Sequence, residues 1–351
     1  MRVNREKLLG ILEQVSPGLA PKEMIEQSSC VVFHRGRVCT FNDEISCSVA
    51  SPIPELTGAV AAKPLLDLLS RMDEDEVDIV QEDKGLLVKG RGKRAKVNME
   101  AEVLLPIDTV EAPEQWFPLP KEFCEAVGIV YSCAAAESSN FSLTCVHIAP
   151  TFIEACDRFQ LSRYPIESPV DGSVLARAVS LAKIAPLAMT EMALTPAWVH
   201  FRNAVGLTFS CRRFLDKYMD LSQFIDRSGA ARVALPGSLE EIVNKAEIFS
   251  GENKVSNHML VELRPGKLSI RGEGPQGWYE ERRDVAYDGP GVAFLINPKM
   301  LLSISKKSND CCIRPGRLSV DSGKFFYATC TQDPAKLCRK KTETTPEPAA
   351  A

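Results

Sequence analysis

The chain has 351 residues, with 42 Lys and Arg against 46 Asp and Glu, 45% hydrophobic residues and 25% charged ones. That is the composition of an ordinary folded chain, and its length calls for two or three domains, each large enough to bury its own core. Collagen-like, disordered and single mini-domain readings are excluded, and apolar runs such as Gly291 to Ile296 fall far short of the ~20 residues that span a bilayer.

In chain order, the first element is an amphipathic segment, Asn4 to Val15, whose Leu8, Leu9, Ile11, Leu12 and Val15 recur at helical spacing. Its charged start lacks the apolar stretch of a secretory signal, so a cytoplasmic location is the expectation. Val31 to Asn42 reads as two strands around Arg-Gly. A second helix opens at Ala62-Lys63-Pro64, and Val77 to Gly90 alternates around Asp-Lys-Gly as a hairpin. The acidic run Asp73 to Glu76 follows that helix and reads as a solvated turn rather than a metal site.

The same order then recurs twice. In the middle third a helix is predicted over Leu119 to Val130, another over Asp171 to Ala178 with Asp171 as its N-cap, and a hairpin over Ala197 to Cys211. The last third repeats it with Leu235 to Ala246, strands over Met259 to Gly272 around Pro-Gly, a helix from Asn297 to Ile304, and a hairpin over Cys311 to Cys330. Asn297 is a natural N-cap, and Pro298 stands where a first-turn proline costs no hydrogen bond. Seams at Glu111-Ala112-Pro113-Glu114 and Asp226-Arg227-Ser228-Gly229 divide the chain into domains 1–115, 116–228 and 229–336. A polar, proline-containing tail over 337–351 is predicted to be disordered.

No catalytic constellation stands out. The twelve cysteines are scattered without a Cys-x-x-Cys, and His34, His147, His200 and His258 lie far apart, with no metal-ligand spacing. Cys311 and Cys312, adjacent in a strand, point to opposite faces and form no redox pair. Gly90-Arg-Gly92 and Gly272-Glu-Gly274 lie at strand ends rather than opening a helix, so neither is a phosphate loop. An α+β enzyme stays open only because paired carboxylates are invisible to spacing.

Two helices and two sets of strands per unit, three times over, resemble the bacterial-type DNA sliding clamp, the beta subunit family of DNA polymerase III. The resemblance runs from residue 1 to about 332 and is carried by VNREKLLGILEQVSPGL, by GAVAAKPLLDLLSRM with LLVKGRGKRAKVNM, and by VELRPGKLSIRGEGP through FLINPKMLLSISKK. It implies an α+β fold of three repeated DNA-clamp domains, each with two helices packed on antiparallel sheets, assembling head to tail as a homodimeric ring. Its implied partners are double-stranded DNA bound without sequence preference, a replicative DNA polymerase and a clamp loader. It implies no enzymatic activity, no cofactor and no membrane attachment.

A ring that slides needs only sequence-independent phosphate contacts, which basic residues on its helices would supply. The six predicted helical segments carry 11 basic and 9 acidic residues, against 31 and 37 elsewhere, a small positive bias. The candidates are Arg5, Lys7, Lys63, Arg71, Arg177, Lys183, Lys299, Lys306 and Lys307, with Lys22 in the loop after the first helix. Lys22 and Lys63 match positions where the family carries DNA-contacting residues. At the middle domain's second helix, Asp171-Gly172-Ser173 replaces the family's Pro-Arg-Lys, which implies weaker DNA contact there. Ring closure in the family uses residues matching Ile248 and Phe249, although completing a buried helix stripe accounts for the same pair.

The family also receives short partner peptides in a pocket, marked by Thr-Asp-Gly-His-Arg-Leu. Here that motif is Cys156-Asp157-Arg158-Phe159-Gln160-Leu161. The pocket residues implied are Leu143, Cys156, Leu161, Met219 and Phe224, apolar and adaptable, with core packing as the alternative. The family's terminal Met-Pro is replaced by Thr329-Cys330, a divergence that fits a phage-encoded or otherwise specialised clamp. A processivity factor is thus the expected function. The alternative is a clamp-fold scaffold that binds replication proteins without being loaded on DNA.

Overall fold

The computed structural model describes residues 1–225, 229–250 and 257–335. The tail predicted over 337–351, and Asp226 to Ser228 of the second seam, lie outside the described residues. The chain divides into two compact units, residues 1–153 with 166–218, and 154–165 with the chain from Met219 onward.

The first unit begins with helix α1, Arg5–Val15, capped by Asn4, whose side-chain oxygen accepts from the Lys7 amide at 2.8 Å. Its apolar spacing buries Leu8, Leu12 and Val15, and α1 packs against α2, Ala62–Ser70, which buries Leu65 and Leu69. Behind these helices runs a twelve-stranded antiparallel sheet. Its order is Arg2–Asn4, Glu76–Glu82, Gly85–Gly90, Lys93–Glu100, Gly58–Ala61, Cys30–His34, Arg37–Phe41, Ile45–Ala50, Thr208–Arg212, Trp198–Asn203, Met189–Leu194 and Phe117–Pro118. The predicted hairpins over Val31 to Asn42, Val77 to Gly90 and Ala197 to Cys211 all form. Arg35 and Gly36 both have positive φ, 49° and 71°, as a two-residue hairpin turn requires.

The sheet crosses from the first repeat into the second without a break. Ile45–Ala50 pairs with Thr208–Arg212, in register Ser48 to Thr208 and Ile45 to Cys211. Beneath this seam Val32, Phe41, Ala59 and Leu105 pack against Trp198, so one buried cluster takes residues from both repeats. The connector carrying Leu105 is held by Gln27. Its amide nitrogen donates to Glu100 Oε2 at 2.7 Å and the Glu102 carbonyl at 2.8 Å, and its oxygen accepts from the Leu104 and Leu105 amides. A buried amide with every polar capacity filled fixes the strap in one register.

The middle repeat supplies α3, Phe123–Val130, and α4, Ala178–Leu181, which continues as a 3-10 segment, Ala182–Leu187. Here the sequence expectation fails. Asp171 caps no helix, and Val174–Arg177 is a strand paired with Cys145–Ala149. Val174, Leu175 and Ala176 are buried in succession, which suits a strand covered on both faces and no amphipathic helix. The segment copies Gly58–Ala61, the strand that leads into α2. Pro186 and the left-handed Ala188, φ 48°, then end α4 and its extension early.

The second unit holds α5, Leu239–Ser250, packed on α6, Pro298–Ser305, with Asn297 accepting from the Lys299 amide at 2.9 Å as predicted. Gln160–Pro165 pairs with Phe326–Cys330, followed by Arg317–Asp321, Asp310–Arg314 and Ala231–Ala234. A four-stranded sheet runs Gly277–Asp284, Lys267–Gly274, Met259–Arg264 and Val292–Ile296. α5 lies so close to Lys267–Gly274 that a Cβ on Gly272 would strike the Ala246 carbonyl, and one on Gly274 the Phe249 carbonyl. Close packing, rather than a ligand, explains Gly272-Glu-Gly274.

Candidate functional site

Most of the basic side chains singled out in the sequence stand exposed on or beside the helices. Lys7 on α1, Lys22 in the loop after α1, Lys63 in the first turn of α2 and Arg71 just past its end are exposed in the first unit, as is Lys183 beyond α4. Lys299 and Lys306 are exposed on and just after α6. Lys307 is half-buried, its ammonium 4.9 Å from the Tyr327 ring centroid, a cation–π contact.

Two candidates are committed elsewhere. Arg5 donates to the Leu69 carbonyl at 3.1 Å and the Glu74 carbonyl at 2.8 Å, closing the C-terminal end of α2, and also pairs with Glu6. Arg177 pairs with Glu44 at 3.4 Å. The acidic run after α2 also has work within the fold: Asp73 and Glu74 pair with Lys93, and Glu76 with Arg2. Among the described residues no group of three His, Cys, Asp or Glu is placed to hold a metal ion.

The pocket candidates divide between the units. Leu143 is buried in a 3-10 turn, Phe141–Thr144, of the first unit. The other four belong to the second, where Cys156 and Leu161 are buried and Met219 and Phe224 are exposed. The Cys156 thiol lies 3.7 Å from the Met219 sulfur. Asp157 folds the divergent motif back on itself, accepting from the Phe159 amide at 2.6 Å and the Gln160 amide at 2.7 Å. Gln160 in turn accepts from the Tyr327 hydroxyl at 2.8 Å.

Sequence reasoning missed two residues at this corner. Phe159 is 55% exposed, with its carbonyl accepting from the Cys330 amide, and Arg317 donates to the Phe224 carbonyl. An apolar residue in a turn of otherwise polar residues was the available signal for Phe159. Nothing local marks Arg317, because its strand reaches Phe224 only through the tertiary fold.

At the end of α5, Ile248 is 72% exposed. It therefore does not complete a buried stripe. Phe249 is half-buried, its ring edge 3.6 Å from the Cβ position of Gly277, in a strand at the margin of the four-stranded sheet.

The described cysteines are free, and burial pushes the Cys47 and Cys311 thiols up to about 12, so these act as small core hydrophobes. Cys311 is buried and Cys312 half-buried on alternate faces of one strand, as the pleat dictates. Among the described residues no helix is long and apolar enough to cross a membrane.

Paired helices on antiparallel sheets, repeated three times with strands continuing across the seams, define an α+β DNA-clamp fold. Solved structures with the same fold include bacterial DNA polymerase sliding clamps. The chain is similar to DNA polymerase III beta subunit from Thermotoga maritima, at 14% identity and TM-score 0.81, over 95% of this chain and 98% of that one. It is similar to a DNA polymerase sliding clamp from Pseudomonas aeruginosa crystallised with ligand, at 17% identity and TM-score 0.80, over 95% and 99%. For DNA polymerase III beta chain from Streptococcus pneumoniae the values are 16% identity and TM-score 0.80, over 95% and 99%. No protein-family model matches the sequence, and no curated protein does. The likeness is therefore one of fold, as the resemblance in sequence implied.

Proposed function

We propose that this protein is a non-enzymatic processivity factor, a sliding clamp that closes around duplex DNA and tethers a replicative polymerase. The observation that carries the reading is the set of exposed cations along the helices, Lys7, Lys22, Lys63, Arg71, Lys183, Lys299 and Lys306, within a fold shared with bacterial clamps. Point charges of this kind hold phosphates without reading bases, which permits sliding. In this reading the chain has three domains with boundaries near 115 and 229, and works in the cytoplasm.

The ring is proposed to form from two copies, with Ile248 and Phe249 in the contact. Ile248, 72% exposed at the end of α5, and the half-buried Phe249 next to it form an adjacent apolar pair, which supports an apolar interface core. A pocket of the second unit built on Cys156, Leu161, Met219 and Phe224 is proposed to receive polymerase and clamp-loader peptides. Sulfur and aromatic side chains give it an adaptable apolar lining. A loader would supply the energy of opening.

Light scattering of the purified protein comes first, with a mass near twice that of the chain expected. Ile248→Asp with Phe249→Asp should then give monomers, and an unchanged mass would remove these residues from the contact. After incubation with a loader and ATP, the protein should stay on circular duplex DNA and slip off once the DNA is linearised. A dimer that never becomes trapped on circles, yet binds polymerase, would support the unloaded scaffold instead.

A further inference from the structure

Three large apolar side chains stand open at one corner of the second unit: Phe159 is 55% exposed, Met219 43% and Phe224 41%. Resting on the pocket reading above, we infer that Phe159 is the specificity-determining residue of that pocket, an aromatic anchor that selects partner peptides carrying an aromatic side chain of their own.

The fold does not need a phenylalanine here. Phe159 lies in the turn that leads into Gln160–Pro165, and Asp157 closes that turn by accepting from the Phe159 and Gln160 amides. The matching turn at the seam of the first unit, closed by Asn42, carries the ion-paired Glu44 at the same place. A charged residue therefore serves the same backbone equally well. One exposed apolar side chain asks for no explanation, whereas three at one corner mark a contact surface.

The main chain under Phe159 is held from both sides. Asp157 holds its amide, and its carbonyl accepts from the Cys330 amide at 2.7 Å and from the Thr329 hydroxyl at 3.2 Å. The next residue, Gln160, accepts from the Tyr327 hydroxyl at 2.8 Å. The backbone is thus fixed while the ring stays in solvent. A ring with two rotatable bonds, carried on a rigid turn, gives up little conformational freedom when a partner covers it.

Its neighbours set the preferred partner chemistry. The Cys156 thiol, 3.7 Å from the Met219 sulfur, ties the start of the turn to Met219. Arg317, opposite Cys330 in the ladder, donates to the Phe224 carbonyl and ties that segment to the same corner. A thioether and a second phenyl ring therefore accompany Phe159. An incoming aromatic side chain gains edge-to-face or offset ring contacts and sulfur contacts in addition to the area it buries. An aliphatic one gains the area alone.

The test pans a displayed library of random decapeptides on the full-length protein, counter-selects on Met219→Asp, and measures each recovered peptide by fluorescence anisotropy. All the positions changed are exposed, so every variant should melt like the parent. The expected peptides carry Phe, Tyr or Trp, bind Phe159→Leu about tenfold more weakly, and bind Phe159→Tyr as they bind the parent. Phe159→Glu, which matches the first seam, should abolish binding. Peptides that lack aromatic residues, or that bind Phe159→Leu as tightly as the parent, would overturn the role of Phe159 and leave the pocket standing. Recovery of no peptide that discriminates against Met219→Asp or, as a second control, Phe224→Asp would overturn both.

Discussion

The two seams of the molecule use the same joint with different chemistry at the corner. In the first unit Ile45–Ala50 pairs with Thr208–Arg212, and in the second Gln160–Pro165 pairs with Phe326–Cys330. Each seam strand is entered through the same turn. Asn42 accepts from the Glu44 and Ile45 amides at 3.2 and 2.9 Å, and Asp157 from the Phe159 and Gln160 amides at 2.6 and 2.7 Å. In both, the backbone closes with an amide-to-carbonyl bond of 3.0 Å, Asn42 to Ile45 and Asp157 to Gln160. Yet the residue two places on is Glu44, ion-paired, in one turn and Phe159, exposed, in the other. The turn and the ladder make the joint, so the outer side chain is free to carry a different function at each seam.

The largest effect should come from removing the residue that ties the first seam together. Trp198→Ala empties a fully buried site shared by two repeats and should cost about 3–5 kcal/mol, read as a lower urea midpoint. A loss below about 1 kcal/mol would mean that the repeats are joined by the strand ladder alone.

Next in size is a pH dependence specific to the first seam. His200 is buried between Thr195 and Ser210, and burial pushes it down to about 4. The unfolded chain takes up this proton near about pH 6.5, while the folded chain refuses it until about pH 4. Its contribution is full above the upper value and is lost as pH falls toward the lower one, by up to about 3 kcal/mol. Urea midpoints at neutral and mildly acidic pH should show the loss, and His200→Gln should flatten it. A parent protein equally stable at both would break the assignment.

Gln27→Ala should come third, at about 1–3 kcal/mol, because it strands the Leu104 and Leu105 amides under the connector. Hydrogen exchange at those amides should rise more than at the seam strands. The smallest effects should be the paired ones. Asn42→Ala and Asp157→Ala each remove a turn-closing acceptor for about 1 kcal/mol, with Asp157 the costlier because its carboxylate also accepts from the Gln160 side chain at 3.1 Å. Equal costs would show that only the shared backbone bonds matter.

Much of this architecture was legible because local rules and tertiary packing agree. Asn297 announces its helix by capping chemistry, and Arg35-Gly36 sets a hairpin by its φ requirement. The middle repeat misled because Ala176, Arg177 and Ala178 favour helix in isolation, while pairing with Cys145–Ala149 claims Ala176 and Arg177 for a strand. Of the candidate site, the exposed lysines were readable as charges on or beside the predicted helices. The commitment of Arg5 to two carbonyls was not, because Leu69 and Glu74 lie more than sixty residues away in the chain.

The glycines at 272 and 274 have a consequence for assembly. With no side chain between α5 and the strand beneath it, the last turn of the helix rests directly on the sheet backbone, as if the shims had been taken out of a bearing. In the dimer proposed above, Ile248 and Phe249 would therefore be presented at a fixed height and tilt before a partner arrives. Much of the ordering that association would otherwise demand of that turn is completed when the monomer folds.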